Sequence, residues 1–167
     1  MTRFPVRKLT YCAFFAALTA VCAWTGVPLG DTVFTMQTFA VLLTLGLLGG
    51  KWGTVSILCY LLLGAVGAPV FSGFRGGFGA LIGPTGGFLW GFLWAGLCFR
   101  AVEKCGTLPA MLLAQLTCYA CGAAWYTVYT GGGLGFVLLQ AVVPYLLPDA
   151  FKIALAFRLT KRLKRWM

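Results

Sequence analysis

Asp149 and Lys152 are the residues of this chain best placed to do chemistry, because they carry charge where charge is least welcome. The stretch from Leu134 to Phe157 is otherwise almost wholly apolar, with Gln140 its one further strongly polar side chain. Residues three apart on a helix share a face, so a carboxylate and an ammonium at this spacing can point into one pocket. A charge inside hydrocarbon costs roughly 2.5 kcal/mol or more, so the pair reads as a functional site within a membrane protein. A plainer reading stands beside it, in which the two charges neutralise each other and pin helices together. Uncharged groups would make such a staple without desolvating two ions.

Other chemistries find little support. The chain has no histidine, and its acids are Asp31, Glu103 and Asp149, so neither a Ser-His-Asp arrangement nor a pair of carboxylates can be assembled from the apolar segments. No G-x-x-x-x-G-K-[ST] phosphate loop is present, so energy from ATP would have to come from another subunit. Cys118-Tyr119-Ala120-Cys121 is formally a C-x-x-C motif, but it lies in an apolar helical run with no second pair at ligand spacing. The seven cysteines read as small packing residues. Neither an enzyme nor a metal site is expected, and no ring of acids suggests an ion channel.

The elements that must position the pair follow from composition. Hydrophobic residues make up 60% of the chain and charged ones 10%, against about 25% charged in an ordinary soluble domain. The hydrophobic runs predict helices near 9–27, 33–48, 52–68, 83–102, 108–129 and 134–159. The expected fold is an all-α membrane protein, one domain over residues 1–167, with a single bundle of six transmembrane helices. The formal charge of +10 points to nucleic acid less than its placement points to topology. Arg3, Arg7 and Lys8 precede the first helix, Lys51 marks the turn after the second, Arg100 and Lys104 follow the fourth, and Arg158, Lys161, Arg162, Lys164 and Arg165 end the chain. Eleven of thirteen basic residues thus fall on one side, which the positive-inside rule makes the cytoplasm, with both termini there. Anionic lipid or an acidic partner face is a secondary reading of the tail. The basic start resembles a signal peptide, but no small-residue cleavage pattern precedes Cys22, so the run reads as an uncleaved first helix.

Two further features bear on function. Ten glycines fall between Gly64 and Gly91, a density that prevents regular helix and permits tight turns. This connection between the third and fourth helices is expected outside the cell, and with Arg75 as its basic residue it reads as a mobile lid over a polar pocket. The first helix carries two interleaved small-residue pairs, Ala13/Ala17 and Ala16/Ala20, whose shallow groove suits close approach of another helix. That helix can belong to a partner or to this same bundle.

Several motifs together resemble the BioY-type biotin transporter family. They are Pro28-Leu29-Gly30 followed by Thr35-Met36-Gln37-Thr38-Phe39, then Gly64-Ala65-Val66-Gly67-Ala68-Pro69-Val70-Phe71, Gly83-Pro84-Thr85-Gly86-Gly87, and Pro144-Tyr145-Leu146-Leu147-Pro148-Asp149 with Lys152. They run in order from the first helix to the last. The resemblance implies the substrate-binding S component of an energy-coupling factor (ECF) importer, whose partners are a transmembrane coupling subunit and two cytoplasmic ATPases. It implies biotin as transported ligand, with no cofactor, metal or nucleic acid, and a multi-pass location in the cell membrane. The family's acid and lysine fall on Asp149 and Lys152, suited to the donors and acceptor of a ureido ring. Arg75 is the candidate for the valerate carboxylate, while Gln37 and Thr85 lie in the matching motifs and Ser72 in the glycine-rich loop. The family often has an amide in the glycine-rich loop, where this chain reads Ser72-Gly73-Phe74-Arg75. Ala13, Ala16, Ala17 and Ala20 resemble the family's contact for the coupling subunit. An S component for another small vitamin, or a membrane scaffold, would share much of this pattern.

Overall fold

The computed structural model describes residues 6–29 and 32–166. Arg3, Gly30 and Asp31, which belong to the charge and motif patterns above, lie outside them. The first helix, α1, spans Val6–Trp24. It leads into an antiparallel hairpin of β1 (Gly26–Leu29) and β2 (Thr32–Thr35), with Val27 opposite Phe34. The chain is predominantly helical as expected, but the hairpin stands where the sequence suggested a helix beginning at Val33. β-Branched and aromatic residues fill 32–35, which favours a pleated strand over a helical first turn, and helix α2 starts only at Gln37.

Helix α2 spans Gln37–Ala65, but Gly49 inside it is non-helical, at φ 76° and ψ 167°. Side chains show how far the chain turns there. Gln37 and Tyr60 would be about 34 Å apart along a straight helix, yet the Gln37 amide donates to the Tyr60 hydroxyl at 2.8 Å. A β-carbon at Gly53 would lie 3.0 Å from the Leu45 Cα, where a straight helix would leave about 12 Å. The element is therefore a helical hairpin with arms 37–48 and 50–65, its apex beside the expected turn at Lys51. The left-handed φ at Gly49 favours glycine. At the head of the second arm the Gly50 N–H donates to the Glu103 carboxylate at 2.7 Å, so an acid meets the exposed donors and positive dipole of a helix start.

The remaining helices are α3 (Phe78–Ile82), α4 (Gly86–Val102), α5 (Thr107–Thr130), α6 (Leu134–Ala141) and α7 (Leu146–Leu163). The single last helix expected from the sequence is a bent pair. Val142 leaves the helical region, a 3-10 turn covers Val143–Tyr145, and the two parts meet at 46°. Pro144 supplies no N–H and disfavours helix in the residue before it. Seven α-helices thus stand among the described residues where six were expected, through the break in the last helix, the short α3, and the counting of both arms of α2 as one.

The core joins α1, both arms of α2, α4, α5 and α7, through buried Leu45, Ile57, Tyr60, Phe99 and Met111 among others. The outside is apolar too: Phe14, Leu62, Leu116, Val128, Leu139 and Phe151 are all exposed. Helices α1 and α5 are long and apolar enough to cross a membrane, α2 passes the same length test with its two arms counted as one, and the bent pair meets it jointly. Buried apolar core and exposed apolar shell together make this a multi-pass membrane protein, since lipid is the solvent such a shell requires. Charge gathers at one end, where Lys8 and Lys51 both lie against the Trp52 ring, at 5.7 and 5.9 Å.

Candidate functional site

At the end of the bundle away from Lys51 lies a cavity of about 440 Å³, within the ~300–1,000 Å³ usual for small-molecule sites. Its floor comes from Thr35 at the end of β2, Gln37 and Thr38 at the head of α2, Gln115 and Tyr119 on α5, and Asp149 and Lys152 on α7. Phe88, Leu89 and Phe92 of α4 and Cys118 of α5 supply apolar wall, and the roof is the glycine-rich segment with Phe71, Ser72, Arg75 and Pro84.

The break before α7 sets up the floor. It starts a new helix against the cavity, so Asp149 falls in a first turn, where the N-terminal dipole favours an anion. Lys152 follows one turn later, and its Nζ stands 2.7 Å from Asp149 Oδ1, both residues being buried. The ammonium also donates to the Thr35 carbonyl at 2.7 Å and to Thr38 Oγ1 at 3.1 Å. It lies 3.9 Å from the centre of the Phe34 ring, a cation–π contact, and Tyr145 stacks on that ring at 6.3 Å. Asp149 Oδ1 further accepts from Thr38 Oγ1 at 3.4 Å, while Oδ2 accepts from the Gln115 amide at 2.9 Å and from the Tyr119 hydroxyl.

These contacts use the three N–H groups of the ammonium and supply about as many donors as a carboxylate has lone-pair sites. Two buried charges are thereby fully compensated. An incoming donor reaches Asp149 only by replacing one already there, and the 3.4 Å bond from Thr38 is the weakest of the four by length.

All six ligand candidates from the sequence line this one cavity: Gln37, Ser72, Arg75, Thr85, Asp149 and Lys152. Ser72 Oγ is buried with no hydrogen-bond partner, and Arg75 is exposed at the rim. Sequence reasoning missed Thr35, Thr38, Gln115, Tyr119 and Tyr145. A signal existed for two of them, since Gln115 and Tyr119 stand four apart on an apolar helix and so share a face.

The alanine pairs separate. Ala16 and Ala20 are buried in this chain's own core, at 3% and 6% exposure. With Phe15, Thr19 and Ala23 they form the core side of α1, which is the internal-packing alternative for this pair. Ala13 and Ala17 are exposed on the opposite side.

The roof is fastened at carbonyl groups. Trp24 at the end of α1 donates its indole N–H to Pro69 at 2.8 Å, and its ring stacks on Phe74 at 5.1 Å. The Tyr60 hydroxyl donates to Val70 at 3.1 Å. Farther along, the Trp90 and Trp125 indoles donate to the carbonyls of Leu81 and Gly83 at 3.2 and 2.9 Å.

A family model, that of the BioY family, matches residues 1–167. The chain belongs to the BioY family. This BioY-family chain is 34% identical over 178 residues to the biotin transporter BioY of Thermotoga maritima, covering 96% of this chain and 97% of that protein. It is 37% identical over 162 residues to the probable biotin transporter BioY of Pyrococcus horikoshii, at 95% and 96% coverage. Its fold matches a crystal structure of the S-component for biotin from an ECF-type ABC transporter, with a TM-score of 0.90 and 26% identity over 99% of this chain and 94% of the other.

Proposed function

We propose that this BioY-family chain is the biotin-binding S component of an ECF importer, and that biotin occupies the cavity between the Asp149–Lys152 floor and the glycine-rich roof. The observation that carries this is the buried ion pair lining a mostly apolar cavity. Biotin suits both parts: its ureido ring has two N–H donors and a carbonyl, while its sulfur ring and valerate chain are apolar up to the carboxylate. A ureido N–H takes the place of Thr38 on Asp149. The ureido carbonyl accepts from the second N–H of the Gln115 amide, or from the Lys152 ammonium in place of one of its present acceptors. The unpartnered Ser72 hydroxyl bonds the ligand from above, since a buried orphan donor is costly until it is filled. Arg75 at the rim holds the valerate carboxylate as a charge-assisted pair, with Gln37 and Thr85 completing the polar lining.

The membrane is crossed six times, by α1, the first arm of α2 together with the strand leading into it, the second arm of α2, α4, α5 and the α6–α7 pair. Both termini lie in the cytoplasm, where the basic residues gather. A transmembrane coupling subunit docks on the Ala13/Ala17 face of α1, and two partner ATPases supply the energy. Ala17→Leu fills that exposed face, so it should abolish co-purification with the coupling subunit and uptake while leaving biotin binding intact. Retained complex and uptake would move the docking face elsewhere.

The deciding experiment is equilibrium binding to the purified protein of biotin, thiamine and riboflavin. Saturable biotin binding with no competition from the other two is the expected result. Preference for another vitamin would reassign the ligand, and no binding of any of them would leave the ion pair as a staple in a scaffold.

A further inference from the structure

We propose that Tyr60 is a positioning residue through which an occupied cavity holds the roof segment 66–77 shut, an inference that rests on the ligand reading above. Tyr60 lies on the second arm of α2 and is wholly buried. Its ring meets Phe71 edge-on at 5.5 Å, and its hydroxyl donates to the Val70 carbonyl at the root of the roof while accepting from the Gln37 amide. Gln37 lines the cavity. Its backbone N–H donates to Thr35 Oγ1 at 3.3 Å, and the carbonyl of Thr35 in turn accepts from Lys152. A continuous run of polar contacts therefore joins the ion pair to the roof.

The direction of effect follows from the amide. Besides the N–H given to Tyr60, the Gln37 side chain has a second N–H and a carbonyl. A ligand bonded there fixes the amide, which keeps the Tyr60 hydroxyl turned toward Val70, and bonds in such a chain strengthen one another. The Trp24 fastening reaches the neighbouring carbonyl, Pro69, from α1, which contributes nothing to the cavity lining. One fastening therefore senses the ligand and the other does not. The roof also holds Phe74 at φ 56°, a left-handed conformation costly for a bulky residue and kept only where contacts over-determine it.

The test is amide hydrogen exchange and biotin release on the purified full chain. Two amides report closure: Phe71 N–H, bonded to Arg75 at 2.9 Å, and Gly77 N–H, bonded to Gly64 at 2.7 Å. In the unmodified protein, biotin should slow exchange at both. Tyr60→Phe keeps the ring and removes the relay. It should still bind biotin but release it about tenfold faster, the scale of one hydrogen bond, and biotin should no longer protect the two amides. Trp24→Phe should raise exchange equally with and without biotin, as a purely structural fastening would. Undiminished biotin-dependent protection in Tyr60→Phe overturns the inference. If that variant fails to fold, the unmodified protein decides: biotin bound without protection of Phe71 and Gly77 overturns it equally. Absence of biotin binding in the unmodified protein overturns this inference and the ligand reading together.

Discussion

The floor and the roof of the cavity hold their polar groups in opposite ways. On the floor, Asp149 and Lys152 are buried and ringed by Thr35, Thr38, Gln115 and Tyr119, side chains and a carbonyl carried by two helices and a strand end. Over residues 66–77 the roof has little regular structure and an orphan hydroxyl at Ser72, and single donors reach in from Trp24 and Tyr60 to carbonyls at its root. A pre-organised floor changes little when the ligand arrives, so it selects what binds. A roof held by few bonds opens at small cost, so it sets how fast ligand enters and leaves.

The contrast breaks most readily at the floor. Lys152→Met strands a buried carboxylate, and the purified protein should lose about 3–5 kcal/mol of stability, read as a lowered unfolding transition. The double variant Asp149→Leu with Lys152→Met removes both charges and should regain most of that stability while binding no biotin. Normal biotin binding by the double variant would make the pair a staple. Asp149→Asn keeps shape but replaces an acceptor with a partial donor, and equilibrium binding should weaken by about 2–3 kcal/mol. Tyr119→Phe removes one of the donors on the carboxylate and should cost about 1.5 kcal/mol of affinity, with little change in the association rate. Arg75→Gln at the exposed rim should have the smallest effect, about 0.5–1 kcal/mol and declining with added salt, as for a solvent-screened pair. An Arg75 effect larger than that of Tyr119 would invert the division between floor and roof.

What was legible in the sequence follows the same division. Asp149 and Lys152 stand out because hydrocarbon makes charge conspicuous, and the roof stands out because ten glycines between Gly64 and Gly91 exclude regular structure. Gln115 and Tyr119 stay hidden because an amide or a phenol in an apolar helix raises no comparable alarm; only their partner, 30 or more positions away in sequence, gives them meaning. Strand β2 reads as the start of a helix because a continuous apolar run has no period of its own to separate strand from helix. The break before α7 is signalled by Pro144, and hydropathy carries the helix through it. The two faces of α1 cannot be told apart by spacing alone, since Ala13/Ala17 and Ala16/Ala20 have the same four-residue step and only packing against α2 decides which turns inward.

The hairpin at Gly49 also fixes how thin the protein is beneath its cavity. About twelve helical residues separate Gln37 at the floor from the apex, and at 1.5 Å each they span about 18 Å, well short of the ~30 Å hydrocarbon depth of a bilayer. That short column is all of this arm that lies between the cavity floor and the apex beside Lys51. Its composition is that of a seal. From Ala40 to Leu47 every residue is buried, and the polar Thr44 among them turns its hydroxyl back onto the Ala40 carbonyl. Such a close-packed, largely apolar column is a poor path for ions, which would lose their hydration in it.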